Sequence, residues 1–367
     1  MVFMNSYLSG GEPKAARDNG NYLKNQLGNC EPLTVDFLAT LVTKEARQLL
    51  TPGYSRTNKR LRFDLYTRKN SYVKQTLQTG DEKSLYESNF NAKWPVRISL
   101  HGWNGKTTTC SSAAIKDAYM DAGNFNVILV DWSDYSLDVN YIRVITEVFE
   151  IAQQLNDFTA FLHKTTKYPY EEMYLIGHSF GCHIAGVAGK LLKHSRYGVI
   201  YALDTAGPIH QVLNEEWRLT ADSALYVESI QTDTALMGFR GSNLAHASFF
   251  PNWGLGQPHC PNVTDMEPDF SCDHFSALYY FAESVRNPQA FGAIQCKTYE
   301  NVIKQKCECS SRSKRCPAQV FMGGEPAQPK RGVFYLSTNK RRPFGNGAIC
   351  RMRRAIEPTV VRITNPQ

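Results

Sequence analysis

Ser179 lies between glycines in Gly177-His178-Ser179-Phe180-Gly181, the spacing of a nucleophile turn in which a serine is held on a sharp bend. A serine hydroxyl attacks poorly until a base removes its proton, and the base needs a carboxylate to hold its ring and stabilise the imidazolium. The chemistry offered is acyl transfer, so the chain must also supply an acid, a histidine and donors for the oxyanion. Asp204 ends the apolar run Val199-Ile200-Tyr201-Ala202-Leu203 and is the candidate acid, although Thr205-Ala206-Gly207-Pro208 after it is turn-like and a strand-end aspartate is often a turn former. Asp131 competes, but it precedes the serine and abuts Trp132, and reads as structural. Of nine histidines, His274 follows Asp204 in the chain and opens a helical segment, the order Ser, Asp, His expected of such a site. His246 and His259 lie in loop sequence with no following element to fix them, and His178, next to the serine on the bend, reads as a packing residue. The amide of Phe180 is one candidate oxyanion donor; His101-Gly102-Trp103, directly after an apolar run, can turn at Gly102 and offer the amide of Trp103 as the second.

These residues need elements to carry them. Tyr174-Leu175-Ile176 predicts a buried strand before the bend, and Cys182 to Leu192 a helix with one small-residue face after it, with Cys182 a buried thiol packed as a small hydrophobe. Leu61–Thr67, Val96–Leu100, Asn126–Asp131, Val199–Asp204 and Tyr226–Thr232 read as strands. Ile142 to Leu162 and His274 to Arg286 read as helices. Strands alternating with helices predict an α/β architecture with a mostly parallel sheet covered on both faces.

The chain has 367 residues, 42% hydrophobic and 20% charged, and no run approaches the roughly 18 apolar residues of a membrane span. No internal repeat or linker divides it. The organisation expected is an N-terminal elaboration over 1–55, a single domain over 56–345 and a basic tail over 346–367. No signal-peptide core is visible in Met1 to Gly20. Ten cysteines nevertheless point to an oxidising compartment, and Cys307-Glu308-Cys309 has the wrong spacing for a zinc knuckle. Net charge is +7, but Lys330 to Gln367 alone holds nine Lys or Arg against the single acid Glu357, leaving about −1 for everything before it. Such a tail is either simply solvated or a patch that draws the protein to anionic lipid or glycan surfaces.

With these residues together, the chain resembles the pancreatic lipase family of the α/β-hydrolases, in particular its insect members. The resemblance rests on His101-Gly102-Trp103, Asp131-Trp132, the Gly177 to Gly181 motif, Leu203-Asp204, Phe249-Phe250-Pro251-Asn252, Cys272-Asp273-His274 and Phe334 to Asn339. It implies Ser179, Asp204 and His274 as catalytic triad and the amides of Trp103 and Phe180 as oxyanion hole. It also implies a lid disulfide between Cys260 and Cys272, and further bridges Cys296 with Cys307 and Cys309 with Cys316; the pairing of Cys30, Cys110 and Cys350 stays open, with Cys30 to Cys350 as the candidate expected. The family's C-terminal lipid-binding β-sandwich is not expected here, nor colipase anchoring. The stretch between Cys260 and Cys272 and the loop Ala235 to His246 are short, which in this family accompanies phospholipase A1 or galactolipase activity. Where the family places calcium-binding aspartates this chain has Thr220 and Ser223, with Asp222 out of register, so no metal and no cofactor are expected. Thr205 and Trp253 depart from the family pattern near the pocket mouth, and Asn262-Val263-Thr264 is a lone glycosylation sequon. The expected function is that of a secreted serine lipase acting on glycerolipid esters at a lipid–water interface, with no nucleic-acid partner. A rival of another class is a silent lipid-binding or storage protein like the insect yolk proteins, which lack the nucleophile that Ser179 supplies here.

Overall fold

In chain order the elements are β1 (Arg62–Tyr66), β2 (Gln75–Leu77), β3 (Val96–Leu100), α1 (Cys110–Ala122), β4 (Asn126–Asp131), α2 (Val148–Thr166), β5 (Met173–His178), α3 (Phe180–Leu191), β6 (Val199–Leu203), β7 (Tyr226–Ile230), β8 (Ala247–Pro251), α4 (Cys272–Arg286), β9 (Gly292–Cys296), β10 (Arg315–Pro317), β11 (Val320–Phe321), β12 (Gly332–Leu336) and β13 (Ile349–Arg351), with shorter helical turns between them. They come from a computed structural model that describes residues 58–108, 110–207, 209–261, 271–309 and 314–355. The expected N-terminal elaboration over 1–55, the sequon and most of the stretch between Cys260 and Cys272 lie outside the described residues.

Strands β4, β3, β5, β6, β7, β8 and β12 lie side by side and parallel. β1 and β2 extend one edge antiparallel, and β9 and β11 the other. Period-two alternation decides which side chain meets which layer. Ile128, Val130, Leu175, Ile200 and Ala202 enter the cluster under α2 and α3, where Phe63 stacks on Phe158 at 3.7 Å. Val127, Leu129, Ile176, Tyr201 and Leu203 enter the cluster under α1 and α4. Both faces are therefore dry, and the central strands read as unbroken apolar runs for that reason. This is the α/β-hydrolase architecture.

Several boundaries differ from those read in the sequence. The helix expected from Ile142 to Leu162 is divided at Glu147 into Tyr141–Thr146 and α2. At the break the Glu147 amide donates to the carbonyls of both Arg143 and Val144, and its carboxylate is held by the Lys59 ammonium at 2.6 Å, a tertiary contact that periodicity does not report. β7 ends at Ile230 and not at Thr232, because the Thr232 amide is taken by the Asp204 carboxylate. Residues 349–351 of the expected basic tail form β13, paired antiparallel with β10.

Cys260 is bonded to Cys272, Cys296 to Cys307 and Cys309 to Cys316. The expected pairing of Cys350 with Cys30 is corrected: Cys350 is a free thiol, fully buried on β13, with its Sγ donating to the Tyr335 carbonyl. Cys182 is also free and buried, and burial pushes its thiol up to about 12, so it packs as an apolar group.

Candidate active site

β5 delivers Ser179 to the carboxyl end of the sheet and α3 leaves from it at once. The serine holds φ 55° and ψ −122°, a conformation costly for a residue with a side chain. The flanking glycines allow it. A Cβ on Gly177 would come 2.6 Å from the backbone of Cys182, and one on Gly181 would come 2.5 Å from the Leu100 carbonyl and 2.6 Å from that of His101. The start of α3 is thereby pressed against the end of β3, which brings the Phe180 segment and the His101-Gly102-Trp103 turn together. As the first residue of its helix, Phe180 has an amide with no intrahelical acceptor. The Trp103 turn is braced by Asn104 N donating to Ser136 O (2.8 Å), Gly105 N to Gly102 O (3.2 Å) and the Trp103 indole to Asp138 O (2.7 Å).

Gly102 faces the serine directly: an added Cβ would sit 2.9 Å from Ser179 Cβ and 3.4 Å from its Oγ. Gly102→Ala is therefore expected to lower ester hydrolysis by about 100-fold or more, the size of losing one oxyanion donor, while the far-ultraviolet circular dichroism stays that of the parent. Activity within threefold of the parent would show that the turn is not part of the site.

Asp204 follows β6 with its side chain fully buried. Its Oδ2 lies 2.5 Å from His274 Nδ1, while Oδ1 accepts the amides of Thr232 (2.6 Å) and Asp233 (2.9 Å). With Nδ1 of His274 turned to this carboxylate, the ring's other nitrogen, Nε2, is left to face away from it. His274 sits in the first turn of α4, tied down by the Cys260–Cys272 bond, and its ring is 4.6 Å from that of His178. His178 donates from Nε2 to the His274 carbonyl (3.3 Å) and stacks on Phe275, so it packs the start of α4 in place.

The alternatives fall elsewhere. Asp131 pairs with Arg62 (3.1 Å) and accepts the Ser133 amide, His246 accepts the Val227 amide, and the His259 ring meets Ser276 and Tyr280.

Two residues absent from the sequence reading belong to this network. Asp233, three positions past Ile230 at the end of β7, contributes an oxygen within 4.8 Å of ligand-type atoms of Asp204 and His274. Burial first, and then the Asp204 charge, hold its carboxyl well above the usual carboxylate range, and its oxygens accept the amides of Leu236 and Met237. Its signal was an acid just past a strand end, the same signal that marked Asp204. Gln257 bridges Thr232 O, Pro251 O, Asn252 and Tyr280, and its amide donates to Asp273. A lone glutamine in a loop carries no such signal.

Among the described residues, Asp204 with Asp233 and His274, and His259 with Cys260 and Cys272, are the groups that bring metal-type donor atoms together. Asp204 and His274 Nδ1 are engaged with each other, and the cysteines beside His259 are bonded together. At Thr220 and Ser223, the nearby carbonyls of Glu215 and Arg218 both accept from the Lys190 ammonium, a cation of the chain's own.

Four buried imidazoles set an acid limit on stability. Desolvation holds His101 down to about 4 and His183 to about 3, and lowers His178 and His210 as well. Each binds a proton more readily when unfolded, so the stability it contributes is complete above about pH 6.5 and is lost as pH falls, by up to about 1.4 kcal/mol per pH unit per ring. The melting temperature should drop by several degrees between pH 7 and pH 5. A flat profile by calorimetry over that window would contradict the neutral, buried assignment.

Residues 36–344 match the family described as Lipase. Inactive pancreatic lipase-related protein 1 of Mus musculus is 30% identical over 307 residues, covering 77% of this chain and 63% of that protein. Pancreatic lipase-related protein 2 of Homo sapiens is 29% identical over 306 residues, covering 77% and 64%. Phospholipase A1 member A of Mus musculus is 30% identical over 299 residues, covering 78% and 64%. The chain thus spans less than two thirds of the length of these relatives. With most of its residues matched and its α/β sheet carrying Ser179 on the turn after β5, the chain belongs to the lipase family, alongside the pancreatic lipases.

Proposed function

We propose that the protein is a serine ester hydrolase of triacylglycerol lipase type, acting on carboxyl esters of glycerolipids in an oxidising, extracellular setting. What supports the reading is Ser179 in its strained turn after β5, together with the buried Asp204–His274 pair, whose Oδ2 and Nδ1 lie 2.5 Å apart. Ser179 Oγ attacks the ester carbonyl as His274 Nε2 takes its proton, and the amides of Trp103 and Phe180 hold the oxyanion. The protonated His274 gives the proton to the departing alcohol as the C–O bond breaks, leaving an acyl-serine. Water then attacks the acyl-serine, with His274 as base, and releases the fatty acid. Asp204 orients the imidazole throughout. Three disulfides among the described residues favour the oxidising compartment.

The likeness to phospholipase A1 member A, together with the short Cys260–Cys272 stretch, supports phospholipase A1 or galactolipase action as the second reading. One relative is named inactive, so likeness alone does not separate turnover from silent lipid binding. Fluorophosphonate labelling of the full chain does. Label at Ser179 is the expected result, and none on correctly folded protein would overturn the enzyme reading. Fatty-acid release from triolein against phosphatidylcholine then ranks the substrates; release of the sn-1 chain of phosphatidylcholine alone would replace lipase with phospholipase A1.

A further inference from the structure

The basic C-terminal stretch is held in a pairing where it is described, up to residue 355. Strand β13 pairs with β10 in the register Arg315↔Arg351, Cys316↔Cys350 and Pro317↔Ile349. Cys316 and Cys350 face inward and are buried, so Arg315 and Arg351 project together from the outer face. Like charges directly opposite on neighbouring strands repel. Lys314, Arg353 and Arg354 flank the pair, and Lys340 and Arg341 sit on the loop after β12; all seven cations are exposed. Among the described residues none of the seven forms an ion pair.

Their placement is specific. Arg351 N donates to Ser337 Oγ, Arg353 Nη1 to Thr338 O, and the Trp253 indole to Arg353 O. Those partners lie just past the carboxyl ends of β12 and β8, which run parallel to the strands that deliver Ser179, Asp204 and Asp233. From Thr338 hydrogen bonds continue through Asn252 and Gln257 to Asp273, the neighbour of His274.

The same end of the sheet exposes large apolar side chains on the loops after β4, β6 and β7: Leu137 (36% exposed), Ile142 (56%), Val212 (83%) and Leu236 (45%). Ile142 adjoins Tyr141, whose ring is 5.0 Å from that of Trp103, and Leu236 donates its amide to Asp233. An apolar fringe with cations beside it is the surface of a protein that lies on a membrane interface.

We propose that the carboxyl end of the sheet docks on an anionic lipid surface, with the cations of the β10–β13 ribbon and the loop after β12 meeting phosphate-bearing head groups while Leu137, Ile142, Val212 and Leu236 enter the acyl boundary. A sulfated polysaccharide would satisfy the charges but gives the apolar fringe nothing to enter. The choice of lipid rests on the glycerolipid reading above.

The test is sedimentation of full-length Ser179→Ala protein with phosphatidylcholine vesicles, with and without about a quarter of phosphatidylglycerol. At low salt the anionic vesicles should capture the protein at least about a hundredfold better, and added salt should erase the difference. Arg315→Gln/Arg351→Gln/Arg354→Gln should lower capture by on the order of a hundredfold, about fivefold per cation. Should that triple variant misfold by circular dichroism, Lys340→Gln/Arg341→Gln on the loop carries the same expectation, at about 25-fold. Equal capture by neutral and anionic vesicles, capture unchanged in the folded variants, or retention on heparin without capture by anionic vesicles would each overturn the proposal. Fluorophosphonate labelling of the parent reads the reaction separately. Label without vesicle preference sinks the docking surface alone, and vesicle preference without label sinks the reaction alone.

Discussion

Ser179→Ala is expected to lower kcat for ester hydrolysis by on the order of 10⁶, the loss seen when the nucleophile of such a triad is removed, with binding and the oxyanion donors supplying what remains. The size follows from the division of labour in the site. The covalent step needs an oxygen on the turn after β5, and the serine there holds φ 55°, a conformation costly for a residue with a side chain. Alanine keeps the backbone, since Gly177 and Gly181 and not the serine side chain meet the close approaches to Cys182 and Leu100. The variant should therefore melt within a few degrees of the parent and lose fluorophosphonate labelling entirely. A loss of only about tenfold, with label still incorporated elsewhere, would mean that another residue attacks.

Asp204→Asn should lower kcat by about 10⁴ while leaving KM for a short-chain ester within a few-fold. The carboxamide can keep the amide contacts from Thr232 and Asp233, so geometry survives, but it cannot both accept from His274 Nδ1–H and stabilise the imidazolium. Asp233 does not take over, because its oxygens already hold the amides of Leu236 and Met237 and burial disfavours its charge. Activity within tenfold of the parent in Asp204→Asn, abolished by adding Asp233→Asn, would instead assign Asp233 as the working acid.

The parallel layers were legible because strands dry on both faces must be apolar throughout, as Asn126–Asp131 and Val199–Leu203 are. β8, β9 and β12 were not assigned as strands. Phe249-Phe250-Pro251 is short and carries a proline, and only the parallel pairing of β12 with β8 makes it an element. The break at Glu147 escaped the helical period because a lysine 88 residues earlier in the chain holds it.

By itself the sequence nominated the residues proposed to react and determined their order along the chain. Glycine spacing, strand ends and a helix start are local patterns, and Ser179, Asp204 and His274 each carry one. Only the tertiary structure decided what surrounds those atoms. It brought Asp204 and His274 to 2.5 Å across 70 residues, set Gly102 against Ser179, added Asp233 beside Asp204 and paired residues 349–351 of the basic tail with β10. The reason is that a parallel sheet gathers its carboxyl ends from segments far apart in the chain, and contacts of that span leave no periodicity in the residues between them.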